Sequence, residues 1–87
     1  MNNPESTNHI IEVIEVYNFR PPQKIATLKF PQGIKAKIGM QLLSTFGVPK
    51  KVSGIAFDVD RGENIQDCLV EDIENNLSAG DKLSLAE

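Results

Sequence analysis

The chain is poor in the residues that catalysis usually needs. Its 87 residues include one cysteine, Cys68, and one histidine, His9. A lone cysteine makes no intramolecular disulfide, so nothing in the sequence demands an oxidising compartment. A lone imidazole without clustered partners gives little basis for acid–base or metal chemistry, and His9 reads as a strand-end residue. Cys68 stands beside Asp67 and near Glu71, and acidic neighbours raise a thiol's pKa, so it reads as a partly buried structural residue. Long apolar runs are also missing. The longest spans a few residues against the roughly 20 that a bilayer-crossing helix needs, and Met1 to Asn8 lacks the basic region and apolar stretch of a signal peptide. The expectation is a cytoplasmic protein with no membrane partner. The six glycines are scattered, and none opens a phosphate loop. Asp58, Asp60 and Asn64 alternate like calcium ligands, but the sixth and twelfth positions from Asp58 hold Glu63 and Leu69 instead of Gly and Glu. We therefore assign no catalytic residue, no metal ligand and no cofactor.

What is present describes an ordinary folded domain. Hydrophobic residues are 40% and charged residues 24% of the chain, outside the ranges of disordered or membrane sequences. A chain of this size buries roughly 60 to 65% of its unfolded surface, enough for one core without staples. Residues 1–8 read as a flexible terminus and residues 9–87 as a single α+β domain. The net charge of -3 conceals an asymmetry. Residues 1–51 carry seven cations against three acids, and residues 52–87 carry two cations against nine acids. Such a split gives a bipolar surface if the halves separate, and a neutralised one if they interleave.

Periodicity supplies the element order. His9 to Tyr17 is β-branched with apolar residues on both parities, which predicts a strand covered on both faces. Asn18 to Gln23 is a loop, since Pro21 and Pro22 donate no ladder hydrogen bonds. Lys24 to Phe30 alternates, with Ala26, Leu28 and Phe30 on one face, and pairs with the first run as a hairpin. Ile34, Ile38, Leu42 and Phe46 recur every fourth residue, which predicts the main helix, closed by Gly47 and Pro49. Val52 to Val59 reads as a third strand. Asp60 and Glu63 have capping-box spacing, and Ile65, Leu69, Ile73 and Leu77 predict a second helix. Lys82 to Ala86 ends the order as a short strand, giving β-β-α-β-α-β.

Four segments in sequence resemble ubiquitin-like domains of the β-grasp fold. They are Lys35-Ala36-Lys37-Ile38 in the helix, Gly47-Val48-Pro49 closing it, Ile55-Ala56-Phe57 in the third strand, and Leu69-Val70-Glu71-Asp72-Ile73 before Asp81-Lys82-Leu83-Ser84-Leu85. The resemblance spans residues 9 to 86 and implies a mixed sheet packed on one main helix. Its conjugating and sulfur-carrying members act through a C-terminal Gly-Gly, and this sequence ends in Leu85-Ala86-Glu87. What it implies is a non-catalytic β-grasp domain that binds another protein through its sheet. The second helix is longer than that family usually carries at this place, which leaves a ferredoxin-like or other split α+β arrangement as the alternative.

The surface residues favour a protein-interaction module, an accessory subunit or an inhibitor of a larger assembly. Phe19 and Arg20 are types enriched at interface anchors and sit on a loop too proline-rich to enter a sheet. Lys35 and Lys37 flank the apolar stripe, and Met40 lies off it, so these complete the expected contact set. The alternative is a nucleic-acid binder. Lys24, Lys29, Lys35, Lys37, Lys50, Lys51 and Arg20 with Tyr17 and Phe19 supply cations and stacking rings, against a sequence pI of about 5.1.

Overall fold

A computed structural model of the chain describes residues 10–31, 33–44, 47–56 and 64–85. Its strands are β1 (Ile10–Asn18), β2 (Gln23–Lys29), β3 (Gln41–Leu43), β4 (Pro49–Ile55), β5 (Ile65–Glu71) and β6 (Lys82–Leu85). All neighbours are antiparallel, and the sheet closes on itself in the order β1-β2-β5-β4-β3-β6. Strands β3, β4 and β5 follow one another, and β6 returns beside β3, a Greek-key path. The β1–β2, β3–β4 and β5–β6 connections leave at one end, here the proline end. The β2–β3 and β4–β5 connections leave at the other, the lysine end.

Inward-facing side chains fill the barrel. Ile11 and Val13 from β1, Ala26 and Leu28 from β2, Leu42 from β3, Val52 from β4, Cys68 and Val70 from β5 and Leu83 from β6 are all buried. Phe30 and Leu77 join them from the connections. The β1 and β4 ladders each contain one extra residue, between Val13 and Glu15 and between Val52 and Gly54. Such a bulge flips the alternation and sharpens the coiling that a small closed sheet requires. It also explains the mixed parity of β1. Ile11 and Val13 point inward, the bulge intervenes, and Val16 points inward again, while Ile10 and Ile14 remain 45% and 39% exposed. The expectation of apolar cover on both faces is therefore corrected.

The α+β expectation is overturned, and with it the ubiquitin-like β-grasp resemblance, because no helix occurs among the described residues to pack on a sheet. Residues 33–40 are loop and turn, and β3 follows. Ile34 and Ala36 are half-buried while Lys35 and Lys37 are exposed, an alternation of period two. Gly39 then takes a φ of 95°, and the Met40 N–H donates to the Lys37 carbonyl at 3.1 Å, closing a tight turn in place of a helical one. The four-residue spacing marks no common face here, since Ile38 is 71% exposed in that turn while Leu42 is buried in β3, and a repeat of four, being even, suits a strand as well as a helix. Phe46 lies outside the described residues. The predicted second helix fails for the same reason. Ile65 and Leu69 belong to strand β5, whose alternate residues Cys68 and Val70 are the buried ones. The Asp60–Glu63 cap and the Asp58–Glu63 acids lie outside the described residues, as do His9 and residues 1–8. The predicted first hairpin and last strand are present as β1–β2 and β6.

Candidate functional site at the proline end

Strand β5 lies between β2 and β4, so a charge just past its end has a neighbour on either side. Lys24 occupies the inward parity of β2, with Ala26 and Leu28, and Lys50 occupies that of β4, with Val52. Asp72 follows β5 on the parity of Cys68 and Val70. The three side chains meet inside the proline end. Lys24 Nζ is 2.8 Å from Asp72 Oδ2, and Lys50 Nζ is 2.7 Å from Asp72 Oδ1, with the carboxylate fully enclosed. The backbone N–H groups of Asn76 and Leu77 also donate to this carboxylate, at 3.2 and 2.9 Å. Lys50 further donates to Asn76 Oδ1 at 2.8 Å and reaches Glu74 Oε1 at 3.4 Å. Burial alone raises a carboxyl pKa, but here the hydrogen bonds from Lys24, Lys50, Leu77 and Asn76 outweigh it and hold Asp72 well below the usual carboxylate range.

This cluster fixes the loop after β5 and carries a groove beside it. The Asp72 N–H donates to the Pro22 carbonyl at 2.8 Å, tying that loop to the β1–β2 loop. The Gln23 N–H donates to the Arg20 carbonyl at 2.7 Å, which closes the proline turn. Between the two loops runs a groove of ≈ 510 Å³, whose lining includes Phe19, Pro22, Lys24, Asp72 and Ile73. Phe19 is 47% and Ile73 73% exposed, so both present apolar surface to solvent. Arg20 sits over the Phe19 ring, 6.0 Å from its centroid.

The five expected contact residues do not form one surface. Phe19 lines the groove and Arg20 stacks on Phe19 from outside the lining, whereas Lys35 and Lys37 are exposed on the β2–β3 connection at the opposite end. Met40 is half-buried against the core. A second recess, lined by Phe30, Ile34, Lys35, Ile55, Ile65 and Gln66 among others, opens at that lysine end. Of the basic set considered for nucleic acid, Lys24 and Lys50 are drawn into the ion cluster, while Lys29, Lys35, Lys37 and Lys51 remain exposed. Cys68 is fully buried, and burial with the adjacent Asp67 charge pushes its thiol pKa up to about 12. It is a neutral core side chain at physiological pH.

Sequence reasoning placed Lys24 and Lys50 only in the basic set for nucleic acid, and overlooked their meeting with Asp72 and the exposure of Ile73. A signal for the first three exists, since each charge falls on the apolar parity of its own strand. Comparison with family models, curated proteins and solved structures returns no significant match for this chain.

Proposed function

We propose that the chain is a non-enzymatic protein-interaction module, an accessory subunit or an inhibitor of a larger assembly, working in the cytoplasm and engaging its partner through the proline-end groove. The observation that carries this reading is the pair of exposed apolar side chains, Phe19 and Ile73, bordering one groove whose two loops are joined at Pro22 and Asp72. Large apolar side chains held outside a core by a fixed scaffold are what an interface anchor requires, because little conformational freedom is lost when a partner covers them. The unpaired Cys68, buried and neutral, is compatible with a reducing compartment. No helix of the described residues is long and apolar enough to cross a membrane.

Partner capture from the native host tests the reading. A chain carrying Phe19→Ala, Arg20→Ala and Ile73→Asp loses its partner while its unfolding free energy from urea titration stays within about 0.5 kcal/mol of the parent, the usual range for exposed substitutions. Undiminished capture removes the groove from consideration. Capture of nucleic acid instead, falling steeply with salt and indifferent to these substitutions, replaces the protein-binding reading with the lysine-based one.

A further inference from the structure

The two lysines of the buried cluster are not equally satisfied. Each ammonium carries three N–H donors. Lys50 has three acceptors, on Asp72, Asn76 and Glu74. Lys24 has one, Asp72 Oδ2, among the described residues, although its side chain is only 13% exposed. Lys24 is among the residues that line the groove, so its partly exposed side chain is within reach of an occupant. The enclosed part of the cluster, though not the cluster as a whole, carries one excess cation. Two enclosed ammonium groups share one enclosed carboxylate, and the Glu74 carboxylate that also approaches Lys50 is 43% exposed and screened by water. Arg20, exposed over the Phe19 ring and outside the groove's lining, has no carboxylate within ion-pair distance among the described residues.

We propose that the groove takes an acidic peptide segment, an Asp or Glu side chain flanked by aliphatic ones, and this rests on the protein-binding reading above. The carboxylate accepts the free N–H donors of Lys24, and Arg20 at the rim adds attraction. The aliphatic neighbours cover Phe19, Pro22 and Ile73. A charge-assisted hydrogen bond in a site largely shielded from water is stronger and more selective than one at an open surface, so the contact discriminates carboxylate from its amide analogue.

The test is a titration of the isotopically labelled chain, followed by amide chemical shifts, with acetyl-Leu-Glu-Leu-amide and with acetyl-Leu-Gln-Leu-amide. The Glu peptide is expected to move the amides of Asn18, Phe19, Lys24, Ile73 and Asn75. It binds about tenfold more tightly than the Gln peptide, the scale of one charge-assisted hydrogen bond. In Lys24→Met the preference disappears, and that variant leaves Asp72 with Lys50 and two backbone N–H donors. Added salt narrows the preference in the parent. Equal affinity for the two peptides overturns the carboxylate assignment while leaving the groove as a contact surface, and shifts confined elsewhere, or none, overturn it altogether. The capture experiment with the Phe19, Arg20 and Ile73 substitutions decides the broader reading separately.

Discussion

The Asp72 carboxylate accepts four hydrogen bonds, two from lysines and two from backbone, and so joins β2, β4 and the loop after β5. Removing it leaves Lys24 and Lys50 close together with their shared counter-charge gone. Asp72→Ala is expected to cost about 3–5 kcal/mol, the range for breaking an enclosed ion pair on one side, read as a lowered urea midpoint. The pH dependence follows from the direction of its pKa. The folded carboxyl ionises below its ordinary value, so protons bind the unfolded chain more readily, where the pKa is about 3.9. Its contribution is therefore complete above about pH 4 and is lost as pH falls further toward the folded value. Urea midpoints of the parent between pH 6 and pH 3 should fall more than those of Asp72→Asn, and parallel profiles would remove Asp72 from this role. Replacing the whole cluster by apolar residues is a different matter, since such exchanges are often neutral or stabilising. Its value here is positional: it fixes where Pro22 and Ile73 stand.

Among the elements, β1 is the least evenly paired. It is nine residues long, yet β6 pairs with it only at Ile10, Ile11 and Glu12. Loop residues extend that side by one position, the Val13 N–H donating to the Asp81 carbonyl and the Gly80 N–H to the Val13 carbonyl. Val13 therefore turns its backbone groups away from β2. Its partner on β2 is Leu28, and two residues along β2 the partner of Ala26 is Val16, which by the same alternation also turns away from β2. No strand covers Val16 on that side among the described residues. Amide exchange is expected to be fast at Val16 and slow at Ala26, whose own groups turn toward β5. Equal protection at the two would contradict the register. The sequence shows β1, β2 and β6 clearly because β-branched runs and strict alternation have one interpretation. It conceals β3 and β5, since Leu42 in one and Ile65 with Leu69 in the other belong to four-residue repeats that suit helix and strand alike. Gly39 in the middle of the supposed main helix is the residue that favours a turn. Of the candidate site, Phe19 and Arg20 are legible from the prolines beside them. Asp72 and its lysines show only as charges on apolar parities, and that they meet is not legible, because only the order of strands brings β2, β5 and β4 together.

At the scale of the molecule, barrel closure interleaves the basic and acidic halves of the chain. Strand β5, from the acidic half, lies between β2 and β4, and the ion cluster joins all three. Closure also removes the free edges at which an open sheet invites unselective pairing, apart from the half-covered stretch of β1. It depends on the shortest strands, since the ladder pairs of β6 with β3 are Leu42 with Leu85 and Leu43 with Ser84. The groove exists because this seam and its neighbours hold the three proline-end connections at fixed positions. The most direct measurement is the pattern of cross-strand nuclear Overhauser contacts in the free protein. The closed barrel predicts contacts from Ile11 to Leu83 and from Leu42 to Leu85, with no helical carbon shifts over residues 34–44. Helical shifts across that segment, together with missing contacts between β3 and β6, would contradict the barrel and the groove built on it.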